Sequence, residues 1–148
     1  MIRKAKPSDI PAIVDIAVES VSQNPLPVKI DREAIAQMIQ FCLNPAHFGY
    51  VIEDDGVVVA AMGAISQRSF WYKGLQVSVL LYYTRKPGAG ILLMREFARW
   101  VKSRSGIKTA VIELEPDVDE RLVSFLSKAG FGRKTINMTY VREPGGQS

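Results

Sequence analysis

Apolar and polar positions change period several times along the chain, and each change marks an element. Residues 2–5 read as a short first strand. Ile10, Ile13, Val14, Ala17 and Val21 then recur at helical spacing and predict one apolar helix face. Pro7-Ser8-Asp9 opens that helix, with Ser8 placed to cap it and Asp9 in its first turn. Asn24-Pro25-Leu26-Pro27 ends it. Asp31 predicts the cap of a second helix, with Ile35, Met38, Ile39 and Cys42 turned inward, and Asn44-Pro45 stops it. Residues 50–53 and 57–64 read as strands joined by Asp54-Asp55-Gly56, where Asp-Gly favours a tight hairpin. Residues 75–83 alternate, which predicts a strand with Val77, Val79, Leu81 and Tyr83 on one face.

Past a glycine-bearing turn the period returns to that of a helix, running to about Arg104. Leu93, Phe97 and Trp100 form one stripe and Ile91, Met94, Ala98 and Val101 an adjacent one, so the helix is apolar over a wide arc. Residues 108–114 predict a further strand. Leu122, Phe125, Leu126 and Ala129 predict a last helix closed by Gly130. Residues 133–141 predict a final strand or pair of strands, and 143–148 a frayed tail. The order β, α, α, β, β, β, α, β, α, β(β) implies one domain over residues 1–142. It is a mixed α/β (α+β) chain with a central, mostly antiparallel sheet of six to seven strands and four flanking helices. The strict alternation of a doubly wound parallel fold is absent.

Composition narrows the chemistry. No apolar run in the 148 residues approaches a membrane span. Residues 1–7 are basic without an apolar core, unlike a secretory signal. Cys42 is the lone cysteine, so no internal disulfide forms, and its apolar neighbours predict a buried small hydrophobe. One His and one Cys do not make a metal site. These features point to the cytoplasm. The net charge of +4 suits an anionic ligand, but the cations are scattered, unlike a nucleic-acid surface.

The ligand is suggested by Arg85-Lys86-Pro87-Gly88-Ala89-Gly90, between an apolar strand and an amphipathic helix. Such a turn aims backbone N–H groups at one point, at the positive end of a helix, and its glycines admit a ligand close to the backbone. A phosphate or pyrophosphate is the natural guest. The dinucleotide fingerprint needs a third glycine, and the P-loop needs Lys-Ser/Thr where Ile91 stands. The pattern Arg/Gln-x-x-Gly-x-Gly/Ala resembles instead the acyl-coenzyme A loop of the GNAT family of N-acetyltransferases. The opening Ile2-Arg3-Lys4-Ala5 with Pro7-Ser8-Asp9-Ile10 is similar to that family's usual start, and Ala129-Gly130-Phe131 to the Gly-Phe that closes its last helix. Tyr140-Val141-Arg142, with the loop's spacing, also resembles small members encoded by phages.

The resemblance implies acetyl-coenzyme A lying along the strand before the loop, with backbone groups near Leu80 and Tyr82 pairing with its pantetheine. The N–H groups from Lys86 to Ile91, those of Gly88, Ala89 and Gly90 among them, would hold the pyrophosphate. Arg85 and Lys86 would add charge, and one of them would reach the ribose phosphate. Pro87 has no N–H to give. The implied reaction is direct attack by a primary amine, carried by a small molecule or a protein, after loss of a proton to a base. Glu113 and Glu115 share one side of the strand after the loop helix, and Glu113 is the candidate base because Pro116 ends the strand next to Glu115. The family's usual acid, a tyrosine five residues before the Gly-Phe phenylalanine, is replaced by Leu126. Tyr82 and Tyr83 point to opposite faces, and Tyr83 is the candidate acid. Phe70, Trp71 and Tyr72 would line an acceptor pocket or form a homodimer contact. A protein that keeps the fold and binds acyl-coenzyme A without turnover is the alternative.

Overall fold

The computed structural model describes residues 1–23 and 25–143. Strand β1 (Ile2–Lys4) leads through a 3-10 turn (Pro7–Asp9) into α1 (Ile10–Ser22), and α2 (Arg32–Cys42) follows. Strands β2 (Phe48–Asp54), β3 (Val57–Arg68) and β4 (Leu75–Thr84) form the meander. Helix α3 (Gly90–Ser103), strand β5 (Ile107–Val111) and helix α4 (Glu120–Lys128) complete the order. The sheet runs β1-β2-β3-β4-β5, antiparallel until β5, which pairs parallel to β4. Among the described residues no helix is long and apolar enough to cross a membrane.

The β2–β3 hairpin turns on Asp55 (φ 50) and Gly56 (φ 77), two successive left-handed residues, as the Asp-Gly pair predicts. One sheet face is covered by α1 and α2, whose Ile13, Ile16 and Ile39 pack on Val51, Ala61 and Leu81. The other is covered by α3 and α4, whose Leu93, Phe97, Leu122 and Leu126 pack on Phe48, Met62 and Val77. Asp31 caps α2, its carboxylate accepting from the Glu33 and Ala34 N–H groups. Helix α4 ends in a Schellman motif. Gly130 (φ 109) donates to Ser127 O, Phe131 donates to Leu126 O at 2.8 Å, and the Phe131 ring packs on Phe97.

Four expectations need correction. Ser8 does not cap α1. It is exposed, and α1 starts without a side-chain cap; the buried Asp9 carboxylate instead closes the preceding 3-10 turn, accepting from the Lys6 N–H and twice from the Arg3 guanidinium at 2.8 and 2.9 Å. Arg3 also bonds Glu53, tying β1 and the start of α1 to β2. On β4 the alternation breaks. Val79 pairs with Ala64 and Leu81 with Gly63, leaving Leu80 as an extra residue in a bulge. Side chains past the bulge therefore swap faces, so Val77 and Val79 point to the α3–α4 side but Leu81 and Tyr83 to the α1–α2 side. The strand expected over 108–114 stops at Val111, because β4 offers it no partner beyond Ser78.

The sheet has five strands rather than six or seven. Residues 131–143 carry no secondary structure, and after Phe131 the backbone makes no hydrogen bond to another segment among the described residues. A strand needs a ladder partner whatever its propensity, and none of the described strands pairs with this segment. Asn24 and, beyond Glu143, the expected tail lie outside the described residues.

Candidate active site

Strands β4 and β5 pair only from Leu75↔Ile107 to Ser78↔Val111 and then part. Residues 79–84 of β4, which include the Leu80 bulge, thus have no ladder partner on the β5 side among the described residues. Leu80 itself is 44% exposed. Bulges often stand beside active sites because they re-aim side chains and end a ladder. Across the cleft, Ile112 and Leu114 pack against the α3–α4 core while Glu113 and Glu115 are exposed. The burial alternation therefore places Glu113 on the side away from α3, with Val111.

The glycine-bearing turn closes the far end of the free edge. Thr84 folds it back: its hydroxyl donates to Lys86 O at 2.8 Å and accepts from the Lys86 N–H at 3.1 Å. The Arg85 N–H donates to Val59 O, and the Ala89 N–H to Lys86 O. With Pro87 lacking a donor, the N–H groups of Gly88, Gly90 and Ile91 are left without an acceptor among the described residues. They stand at the N-terminus of α3, which has no side-chain cap. Gly88 takes φ +82, with open space where a Cβ would lie. Gly90 has another reason to be glycine, since a Cβ there would overlap the Tyr82 hydroxyl.

The charged side chains of the turn are already engaged on the α1 side. Arg85 Nε donates to Glu19 Oε2 at 2.6 Å, and Tyr83 Oη donates to Glu19 Oε1 at 3.3 Å. Lys86 Nζ meets Asp54 on the β2–β3 hairpin at 2.7 Å, which raises the lysine's pKa and lowers the carboxylate's. Tyr82 and Tyr83 do face opposite sides, Tyr82 toward α3 and Tyr83 toward α1. Burial raises the pKa of both phenols, and the Glu19 carboxylate raises Tyr83 further. Leu126 is buried in the α3–α4 core. Cys42 is buried too, its thiol pushed up to about 11 by desolvation. Phe70 and Trp71 are 97% and 91% exposed, while the Tyr72 hydroxyl hydrogen-bonds Thr109 on β5. Sequence reasoning missed Glu19, Asp54 and Thr84. Thr84 borders the turn and holds its shape, but Glu19 and Asp54 are brought in by long-range packing that no local pattern announces.

A free strand edge, a bulge and three unsatisfied donors at an uncapped helix start together fit a long ligand with a pyrophosphate. The sequence profile of the acetyltransferase (GNAT) family matches residues 13–131. No curated protein matches the chain by sequence. Among solved structures, the fold is similar to a predicted acetyltransferase with acetyl-CoA from Clostridium acetobutylicum. The TM-score is 0.72 at 17% identity, over 96% of this chain and 95% of that one. It is also similar to glucosamine-6-phosphate N-acetyltransferase from Arabidopsis thaliana, with TM-score 0.67 at 19% identity over 95% and 96% of the two chains. An aminoglycoside acetyltransferase from an uncultured soil metagenomic sample, in complex with sisomicin, gives 0.67 at 12% over 97% and 96%.

Proposed function

The chain belongs to the acetyltransferase (GNAT) family and is an acetyl-coenzyme A-dependent N-acetyltransferase; we propose that it acetylates a primary amine brought to the cleft between β4 and β5, with Glu113 as the proton acceptor. The observation that supports this reading is the parting of the two strands after Ser78 and Val111, with the donor-rich turn following the unpaired part of β4 and the exposed Glu113 two residues beyond β5.

Acetyl-coenzyme A supplies the activated acetyl group as a thioester. The free edge near Leu80 and Tyr82 offers main-chain donors and acceptors to an extended chain, as an edge strand does to a peptide. The N–H groups of Gly88, Gly90 and Ile91 are the pyrophosphate donors. Ala89, 8% exposed, sets their spacing by packing into the core, since its own N–H is used within the turn. Arg85 and Lys86 add positive potential. Each can meet a ribose phosphate by exchanging its present carboxylate partner for it, at little cost because both ion pairs are solvent-exposed.

An ammonium has no lone pair, so the acceptor must lose a proton before it attacks. Glu113, exposed just beyond β5, would take that proton directly or through a water. Tyr83 holds the proton for the leaving side. Its raised pKa keeps the phenol protonated at neutral pH, and its hydroxyl donates to Glu19. Relatives of this fold include proteins named for aminoglycosides and for an amino-sugar phosphate, so both classes belong in the acceptor panel beside simple amines and peptides.

The test is thiol release from acetyl-coenzyme A across that panel, with Glu113→Gln measured on whichever acceptor turns over. General-base catalysis is worth on the order of 10²–10⁴ in rate. The variant should lose kcat by that order with cofactor affinity unchanged, and the loss should shrink as pH rises toward the amine's own pKa. Wild-type kcat at neutral pH, where chemistry limits the rate, would remove Glu113 from the mechanism. Cofactor binding without thiol release from any amine would leave the non-catalytic alternative.

A further inference from the structure

The fold collects at one end of the molecule cations that the sequence scatters. That end is where β3 and α3 finish and where β4 and β5 begin. Arg68 and Lys73 flank the loop between β3 and β4, Lys102 and Arg104 stand at the end of α3, and Lys108 lies near the start of β5. All five are exposed, and none forms an ion pair among the described residues. Residues 65–76 and 100–110, and the turn over 41–47 beside them, contain no Asp or Glu. These segments touch one another. The Leu75 N–H donates to Gly106 O at 2.8 Å, a Cβ on Gly74 would lie 2.6 Å from Lys108 Cγ, and the Arg104 guanidinium donates to Pro45 O at 3.0 Å.

Phe70 and Trp71 stand at the apex of this end, 97% and 91% exposed. The loop that carries them is pinned. The Ser69 N–H donates to Gly74 O at 3.1 Å, the Trp71 N–H donates to Ser69 Oγ at 3.0 Å, and the Tyr72 hydroxyl hydrogen-bonds Thr109 on β5. A held backbone thus displays two adjacent aromatic rings to water. Exposed apolar residues scattered singly are ordinary, but an adjacent aromatic pair amid unpaired cations marks a contact surface. The apex precedes β4, whereas the glycine-bearing turn follows it, ten residues and about 30 Å further on. It is therefore a separate surface from the acetyl-coenzyme A turn.

We propose that this end docks on an anionic lipid surface, with Phe70 and Trp71 entering the headgroup region and the five surrounding cations set against the lipid phosphates. The apex is convex, so its partner must either yield to it or carry a matching pocket. A bilayer interface yields, accepts aromatic rings at headgroup depth and spreads negative charge over a plane. Two rings or a few cations alone bind such a surface weakly, and the two together are the paired signal that anchoring takes. A second copy does not fit, because tip-to-tip contact would set like charges against one another. Single-stranded nucleic acid stacks its bases along a positively charged groove, which a protruding hairpin does not offer. Docked by its apex, the molecule holds the acetyl-coenzyme A turn away from the lipid and open to water.

Co-sedimentation of the full chain with vesicles of equal parts phosphatidylglycerol and phosphatidylcholine, in about 0.1 M salt, tests this. The protein should pellet with these vesicles and stay in solution with phosphatidylcholine alone, and its binding should weaken as salt is raised. Lys73→Gln should weaken binding about fivefold, the worth of one charge near such a surface. Phe70→Ala combined with Trp71→Ala should weaken it about tenfold or more, with Tm unchanged because both rings are exposed. Absence of binding to the anionic vesicles would overturn the proposal. So would binding that survives the loss of both rings. Single-stranded RNA that displaces the protein from the vesicles, and holds the double variant as tightly as wild type, would overturn it too, since charge would then be the only attraction.

Discussion

Replacing Gly90 by alanine isolates a contact that the loop pattern alone would misread. Gly90 is the first residue of α3 and does not take a positive φ, so its backbone would accept alanine. Substitutions of that kind stabilise by about 0.4–1 kcal/mol through the unfolded chain. Here a Cβ would land on the Tyr82 hydroxyl, with the ring's Cζ at 3.0 Å and the Thr84 methyl at 3.5 Å. The ring packs against the α3–α4 core, so moving its hydroxyl disturbs that packing, and overpacking of this kind costs about 1–3 kcal/mol. The clash should win. Thermal unfolding without ligand should show Tm lowered by roughly 2–4 °C for each kcal/mol lost in a chain of this size. The decisive measurement is the cycle with Tyr82→Phe. The phenol makes no hydrogen bond among the described residues, so removing it costs little and opens the space. Gly90→Ala should be destabilising beside Tyr82 and close to neutral or stabilising beside Phe, a coupling of about 1 kcal/mol or more. Additive effects would refute the contact and return Gly90 to a role confined to ligand approach.

The other expectations concern the turn's ligand and the start of the chain. Gly88→Val forces a β-branched residue into φ +82, where left-handed backbone costs roughly 1–2 kcal/mol or more; the protein should fold with a lowered Tm and show a smaller acetyl-coenzyme A-induced Tm rise than wild type, and an equal rise would count against the turn as the pyrophosphate site. Coenzyme A should raise Tm by mass action and dephospho-coenzyme A less, whereas equal shifts would mean that Arg85 and Lys86 stay with Glu19 and Asp54. Asp9 is held below its ordinary pKa, first by the Arg3 hydrogen bonds, so its stabilisation is present above the unfolded carboxylate value near ~4 and is lost as pH falls through the lower folded value. Asp9→Asn should cost about 1–3 kcal/mol at neutral pH and flatten the acid limb of the Tm–pH profile, and an unchanged acid limb would assign that limb to other carboxylates.

What could be read in the sequence was whatever a few adjacent residues decide among themselves. Asp55-Gly56 specifies its hairpin, Asp31 its cap and Gly130-Phe131 its helix end, because each requirement is a local φ or a local donor. The turn at residues 85–90 was legible for the same reason. The ion pairs that hold its side chains were not, since Glu19 lies 66 residues from Arg85 and Asp54 lies 32 from Lys86. Residues 133–141 show the limit from the other side. Their alternation is plain, but a strand is a relation between two segments, and among the described residues no strand pairs with this one.

The Leu80 bulge has the largest consequence of the features hidden from the pattern. With unbroken alternation the face of Val77 would continue through Val79 and Leu81 to Tyr83, and Tyr83 would look toward α3. The extra residue reverses the parity, so that Met62↔Tyr82 lies on the α3 side and Ala61↔Tyr83 on the α1 side. Two properties of the site follow from that single insertion. The tyrosine against α3 is Tyr82, which is why Gly90 must lack a side chain. The tyrosine on the α1 side is Tyr83, which is why it reaches Glu19 and is joined through it to Arg85 in the turn. The same bulge begins the stretch of β4 that β5 leaves unpaired. One residue therefore opens the edge, seats one phenol beneath the turn and ties the other to its cation.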